Sequence, residues 1–153
     1  MTQLNVGDSA PAFELLDQDD KTVKLSDLKG RKVLLYFYPR ANTPGCTTQS
    51  IDVSQSLDTL KKNNIAPLGM SPDPPKNQKK FDCDHELGFP LLADEDHKVA
   101  EAYGAWGLKK NYGKEYEGII RSSFLIDEEG KILQCEYKVK PLETVPKALE
   151  AIG

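Results

Sequence analysis

The sequence predicts an α/β three-layer sandwich with a mixed central sheet, entered through an N-terminal β-hairpin. Three observations carry that class. Strand-like and helix-like segments alternate through the middle of the chain, which implies parallel strands joined by right-handed crossovers. Val33 to Tyr38 is an unbroken run of six aliphatic and aromatic residues, the length and continuity of a strand buried on both faces. Two late strand-like segments flank Asp127-Glu128-Glu129-Gly130, a turn composition that adds antiparallel strands.

Each element has a local reason. Phe13 and Leu15, then Val23 and Leu25, alternate around Asp17-Gln18-Asp19-Asp20-Lys21 and predict the first hairpin. Ser26 is placed to cap one short helical turn that Gly30 ends. Lys32 to Tyr38 is the central strand, followed by Pro39. After Asn42-Thr43-Pro44-Gly45, the residues Cys46, Ser50, Val53, Leu57 and Leu60 are spaced 4, 3, 4 and 3 apart. That spacing is one face of a helix running to about Lys62. Asn63 and Asn64 stop it, and Ile65 to Met70 resumes as a strand. Pro74 or Pro75 opens a second helix running to about Leu87, before Gly88. A short strand over 90–93 leads to a helix over 95–103 that Asp94 would cap. Glu117 to Ile126 and Lys131 to Val139 make the late hairpin, and Pro141 and Leu142 lead into a last helix ending near Ile152. The order fits a thioredoxin-like arrangement, with residues 1–153 as one domain.

Composition narrows the function. A chain of 153 residues buries about 68–70% of its unfolded surface and needs no disulfide or metal to hold a core. Twenty Lys and Arg against 24 Asp and Glu give −4, which argues against a nucleic-acid partner. No apolar run approaches the roughly 20 residues of a membrane helix, so no membrane partner is expected. Residues 1–20 carry five acidic groups and no apolar core, so no secretory leader is expected either. Three cysteines without a short-spaced pair suit a reducing cytoplasm. Phosphate-cradling glycine motifs are absent, and His85 and His97, read as exposed helix residues, lie twelve apart on separate predicted elements with no Cys-x-x-Cys to complete a metal site. No cofactor and no metal are expected.

One segment concentrates chemistry. Tyr36-Phe37-Tyr38-Pro39-Arg40-Ala41-Asn42-Thr43-Pro44-Gly45-Cys46-Thr47-Thr48 puts a cysteine where a buried strand hands over to a helix. The free N–H groups and positive dipole end of that helix favour a thiolate. Gly45 lets another group approach the sulfur closely. Cys46 also heads the inward face of the helix and should be recessed. Position alone leaves a packed structural cysteine as an equal reading.

Pro39, Thr43 and Cys46 meet a Pro-x-x-x-Thr-x-x-Cys pattern, and the segment resembles the active-site loop of peroxiredoxins, in particular the bacterioferritin comigratory protein or Q-type branch. Gly7-Asp8-x-Ala10-Pro11-x-Phe13, Phe89-Pro90-Leu91-Leu92-Ala93-Asp94 and Arg121-Ser122-Ser123-Phe124-Leu125-Ile126-Asp127 resemble three further blocks of that family, in its order. The resemblance implies a thioredoxin-dependent peroxidase acting on hydrogen peroxide or organic hydroperoxides. Cys46 would attack the peroxide and become a sulfenic acid. Thr43 would hydrogen-bond the peroxide, Arg121 would stabilise thiolate and developing charge, and Pro39 would shield the pocket. Arg40 is read as solvated.

The resemblance also has a gap. Many Q-type members carry a resolving cysteine five residues after the peroxidatic one, where this chain has Ile51. Cys83, 37 residues on, resembles the site used by a second subset. It sits between Asp82 and Asp84, whose charges disfavour a thiolate. One or both of the helices carrying Cys46 and Cys83 would unwind locally for the thiols to meet, and the polar stretch Lys76 to Lys80 makes the second helix the unwinding element. An external thiol and then Cys135, read as a packed thiol, follow in order. Thioredoxin or a similar dithiol would be the reductant. A non-turnover redox sensor or relay, or a holdase, is the alternative on the same fold. A monomer is expected, with a dimer through the loop near Cys46 and Trp106 as the other state. Tyr103, Trp106, Leu108 and Tyr112 either wall the pocket or pack, with packing expected for at least two.

Overall fold

A computed structural model describes residues 3–111 and 113–152. Asp17 folds the chain back near its start. Its carboxylate accepts the amides of Asp19 and Lys21 at 2.8 and 3.1 Å, an Asx turn between β1 (Glu14–Leu16) and β2 (Thr22–Lys24). The two strands pair antiparallel with Leu15 opposite Val23, as the alternation predicted. A 3-10 turn over Leu25–Leu28 follows directly on Lys24, so Ser26 lies inside it and caps nothing.

The apolar run becomes β3 (Lys32–Phe37), with strands paired on both sides. The predicted helix after it is two helices, α1 (Pro44–Gln55) and α2 (Leu57–Lys62). Ser56 separates them at φ −97 and ψ 5, and its hydroxyl donates back to the Asp52 carbonyl at 2.9 Å. Back-bonding of this kind bends helices. The inward face survives the break, since Cys46, Ser50, Val53 and Leu60 are all buried.

β4 (Ile65–Ser71) runs parallel to β3. α3 (Pro75–His85) ends at Glu86, which takes the left-handed conformation at φ 49, short of the predicted stop near Leu87. β5 (Leu91–Ala93) lies parallel to β4. α4 (Lys98–Ala102) is shorter than predicted because His97 turns left-handed at φ 51 before it. Asp94 still caps it from a distance, accepting the amides of Val99 and Ala100 at 3.2 and 2.9 Å.

The next segment departs most from expectation. β6 (Trp106–Asn111) and β7 (Lys114–Ile119) form an antiparallel arm of their own. The single strand predicted over 117–126 is therefore two, the end of β7 and β8 (Ser122–Ile126), which pair in different sheets. β9 (Ile132–Tyr137) completes the late hairpin with β8, and α5 (Thr144–Ile152) closes the chain after a 3-10 turn over Pro141–Glu143.

The main sheet has the order β5-β4-β3-β8-β9, parallel on one side of β3 and antiparallel on the other. The period-2 geometry of β3 divides the core between its faces. Leu34, Tyr36 and Tyr38 pack with Cys46, Val53, Leu60, Phe81 and Val145 from α1, α2, α3 and α5. Val33, Leu35 and Phe37 pack with Phe13, Ala100, Tyr103 and Phe124 on the other face. Cys46 thus belongs to the first layer, at the carboxyl end of the central strand, where open α/β sheets place their sites.

Candidate active site

Tyr38 is the last buried residue of the central run, and its amide donates to the Met70 carbonyl at 3.0 Å. Pro39 is half-buried and Arg40 exposed, and the chain then turns through Asn42 at φ 62 into α1. Thr43 occupies the N-cap position but makes no side-chain cap; its hydroxyl donates instead to the Arg40 carbonyl at 2.7 Å. Pro44 brings no N–H. Gly45 and Cys46 fall in the first turn, where backbone amides have no intrahelical partner. The helix therefore begins with a small set of uncapped donors around the sulfur, at the positive end of twelve aligned residues.

Cys46 is 1% exposed. Arg121 reaches it from the link between β7 and β8, with Nη2 donating to Sγ at 3.4 Å. The guanidinium is itself held: Nη1 donates to Gln49 Oε1 at 2.6 Å, and Gln49 Nε2 donates to Thr144 Oγ1 at 2.8 Å. Gln49 and Thr144 are fully buried, so a rigid chain runs from the start of α5 through α1 to the sulfur. Gly45 is the close approach that sequence anticipated, since a β-carbon there would stand 3.0 Å from Arg121 Nη2. Beneath the cysteine, Tyr36 shares a 2.7 Å hydrogen bond with Ser50. Burial, foremost, drives the Tyr36 hydroxyl well above an ordinary tyrosine, so it stays neutral beside the sulfur.

Cys83 lies exposed in the last turn of α3, on the same side of the sheet as Cys46, because Phe81 of that helix packs in the same layer. Asn42 ties that turn to the active-site loop, donating to Asp84 Oδ2 at 3.3 Å and meeting His85 Nε2 at 2.9 Å. The polar stretch Lys76 to Lys80 is not the loose part of α3, contrary to expectation. Gln78 is fully buried and donates to Ser71 Oγ and the Leu92 carbonyl, while Tyr38 donates to it. Cys135 lies across the sheet, against the opposite core layer, with Sγ donating to the Leu4 carbonyl at 3.5 Å. Burial first, then Glu136 and Asp8, push its thiol up.

The aromatic candidates separate. Tyr103 is core, its hydroxyl donating to the Pro11 carbonyl, and Trp106 stacks on His97 with centroids 3.8 Å apart. Leu108 is exposed, and Tyr112 lies outside the described residues. His97 is thus a half-buried stacking partner rather than an exposed helix residue. Among the described residues no cluster of His, Cys, Asp or Glu is arranged to hold a metal, and no helix is long and apolar enough to cross a membrane.

Gln49 escaped sequence reading. Its only legible signal was position: it lies beside Ser50 on the inward side of α1, where a polar residue needs a buried partner.

Comparison with known proteins places this geometry. Residues 6–135 match the AhpC/TSA family model. A putative peroxiredoxin bcp of Haemophilus influenzae is 51% identical over 142 residues, 92% of each chain. Peroxiredoxin Bcp of Bacillus subtilis is 46% identical over 149 residues, covering 97% of this chain and 95% of that one. A Xanthomonas campestris bacterioferritin comigratory protein, solved in a study of its alkyl peroxide reduction, superposes with a TM-score of 0.83 at 30% identity, covering 91% of this chain and 92% of that one.

Proposed function

The chain belongs to the AhpC/TSA family and, within it, to the Bcp/Q-type peroxiredoxins, and from that premise we propose that Cys46 is its peroxidatic thiol. The protein is a thiol peroxidase that reduces hydroperoxides. In the proposed step the Cys46 thiolate attacks one peroxide oxygen. An S–O bond forms as the O–O bond breaks, and sulfur gives two electrons to the peroxide. The leaving oxygen takes a proton and departs as water or an alcohol, and Cys46 is left as a sulfenic acid.

The surroundings support a role for each neighbour. Arg121 Nη2 faces the sulfur before reaction and the developing oxygen charge during it. The uncapped amides of Gly45 and Cys46 lie in the same first turn of α1 as the sulfur. Preorganised donors of this kind are each worth roughly 100- to 1,000-fold in rate. With its proton on the Arg40 carbonyl, the Thr43 hydroxyl offers lone pairs to the O–H of the peroxide. Pro39, lacking an N–H, shields the pocket without competing for the substrate.

For the second step, Cys83 is the resolving thiol. Its sulfur attacks the sulfenic sulfur, water leaves, and a Cys46–Cys83 disulfide forms, which thioredoxin or a similar dithiol reduces. The shared layer favours Cys83 over Cys135, which the sheet separates from Cys46. Because Cys46 is buried and Cys83 exposed, the first turn of α1, the last turn of α3 or both open for the two sulfurs to meet.

Residues 1–153 act as one domain and as a monomer in a reducing cytoplasm. In support of the monomer, among the described residues the exposed large apolar side chains Val6, Leu16 and Leu142 lie on separate segments, and Leu108 and Tyr116 fall on opposite faces of the β6–β7 arm.

The observation that carries the reading is the 3.4 Å contact of a fixed guanidinium with a buried sulfur. One equivalent of hydrogen peroxide, followed by mass mapping and then turnover with thioredoxin, tests it. Wild type should give a Cys46–Cys83 linked monomer that thioredoxin reduces; Cys83→Ser should stop at the Cys46 sulfenic acid. A disulfide-bonded monomer persisting in Cys83→Ser would remove Cys83 from the cycle.

A further inference from the structure

Lys109 has no part in the chemistry described so far, yet the arm formed by β6 and β7 directs it toward the active site. In that arm Gly107 pairs with Gly118, and Lys109 pairs with Tyr116. The paired glycines leave a strip without side chains between Lys109 and the base of the arm. Lys109 lies back along this strip: its Cδ is 3.4 Å from where a Gly118 β-carbon would be, two pairs nearer to Arg121 than its own strand partner. The strip ends at Ile120, whose Cδ1 would be 3.1 Å from a Gly107 β-carbon, and Arg121 is the next residue.

The side chain is half-buried, and among the described residues it has no carboxylate within ion-pair distance. Its neighbour Lys110, by contrast, pairs with Glu115 at 3.6 Å. Burial first, and the Arg121 guanidinium second, depress the Lys109 ammonium below an ordinary lysine, while the Cys46 sulfur acts in the other direction. A cation held half out of water beside another cation is unfavourable unless an anion shares the space.

We propose that Lys109 is a specificity-determining residue of the peroxide site, a second cation that leaves the reduced site net positive and favours oxidants bearing a negative charge. With Cys46 as thiolate, Arg121 balances one charge and Lys109 remains over. The excess attracts an anionic reactant to the sulfur and does nothing for a neutral one. The proposal rests on Cys46 being the reacting thiol.

The test compares two alkylating reagents of similar size on the intact protein, neutral iodoacetamide and anionic iodoacetate, with the rate at Cys46 read by mass mapping. Because both attack the same thiolate, their rate ratio reports local charge and cancels any general change in reactivity. At low ionic strength, Lys109→Gln should lower the iodoacetate-to-iodoacetamide ratio about three- to tenfold. Lys109→Arg should keep it, and Lys110→Gln should leave it at the wild-type value. Added salt should erase most of the wild-type preference. The anionic peroxide peroxymonosulfate, measured against hydrogen peroxide, should follow the same order among the variants. An unchanged ratio in Lys109→Gln would overturn the proposal. Failure of Cys46 to react with hydrogen peroxide in wild type would instead overturn the assignment of the thiol, and the alkylation ratio would still report on Lys109.

Discussion

Gly45 leaves room beside Cys46 for the guanidinium, since a β-carbon there would stand 3.0 Å from Arg121 Nη2. Alanine there should leave the helix intact or slightly more stable, since Gly to Ala favours a helix by up to about 1 kcal/mol. The same change should slow oxidation by hydrogen peroxide roughly tenfold by displacing a preorganised donor. Thermal melts beside stopped-flow rates would show the split, and a Gly45→Ala protein with wild-type rates would mean that Arg121 need not sit so close. Gln49 makes a complementary case. Gln49→Leu removes the acceptor of Arg121 and the donor to Thr144, costs about 1–3 kcal/mol of stability for the groups left unpaired, and should cut the peroxide rate by a larger factor than Gly45→Ala. At this scale the sequence was partly legible. It showed that something approaches the sulfur over Gly45. It did not show that the approaching group is anchored by a buried glutamine, because that hydrogen bond joins residues 72 positions apart.

Among the elements, α3 is where the resolving step is decided. Its start is locked by Gln78, whereas its end stops at Glu86 in a left-handed conformation and is tied to the active-site loop only by the exposed Asn42 bridge to Asp84 and His85. Left-handed backbone costs a non-glycine residue roughly 1 kcal/mol or more, so the last turn, which carries Cys83, is poised to open. Glu86→Gly should relieve that strain, stabilise the closed helix and slow disulfide formation a few-fold. Sulfenic acid formation should keep its wild-type rate, and a slowing of both steps would count against opening at this turn. The misread elements have a common physical origin. Leu108 to Glu117 is polar and lysine-rich, so no half-buried alternation marks β6 and β7, and Gly113 at φ 79 provides their turn unseen. The continuity from Glu117 to Ile126 likewise hid the break at Ile120 and Arg121. That break lets Arg121 leave the sheet and reach α1.

For the whole molecule, the sheet is a wall between two core layers, with Cys46 and Cys83 on one side and Cys135 against the other. The alternation along β3 made the two layers legible in sequence, whereas the assignment of each cysteine to a layer needed the crossovers. The pH response of folding also belongs to this scale. Burial, the largest influence, holds the Asp94 carboxyl above its ordinary value against the pull of the Ala100 and Val99 amides. A raised carboxyl favours folding when protonated, so its contribution is present below the unfolded value and lost as pH rises through the folded one. Asp19, Asp84 and Glu128 are lowered by hydrogen bonds from Lys79, Lys80 and Lys32 and act oppositely, but they lie in water and count for little. Acidification from pH 6 to 4.5 should therefore cost less stability in wild type than in Asp94→Asn, and equal slopes of Tm against pH would refute this role.

A buried cysteine clamped by a fixed arginine is the reacting group. Stopped-flow mixing of reduced Cys83→Ser protein with stoichiometric hydrogen peroxide, quenched for mass mapping, addresses it most directly. The protein should lose one thiol rapidly and give a trappable sulfenic acid at Cys46, at a rate that falls about 100-fold or more in Arg121→Gln. Slow oxidation, or oxidation appearing first at Cys135, would contradict it.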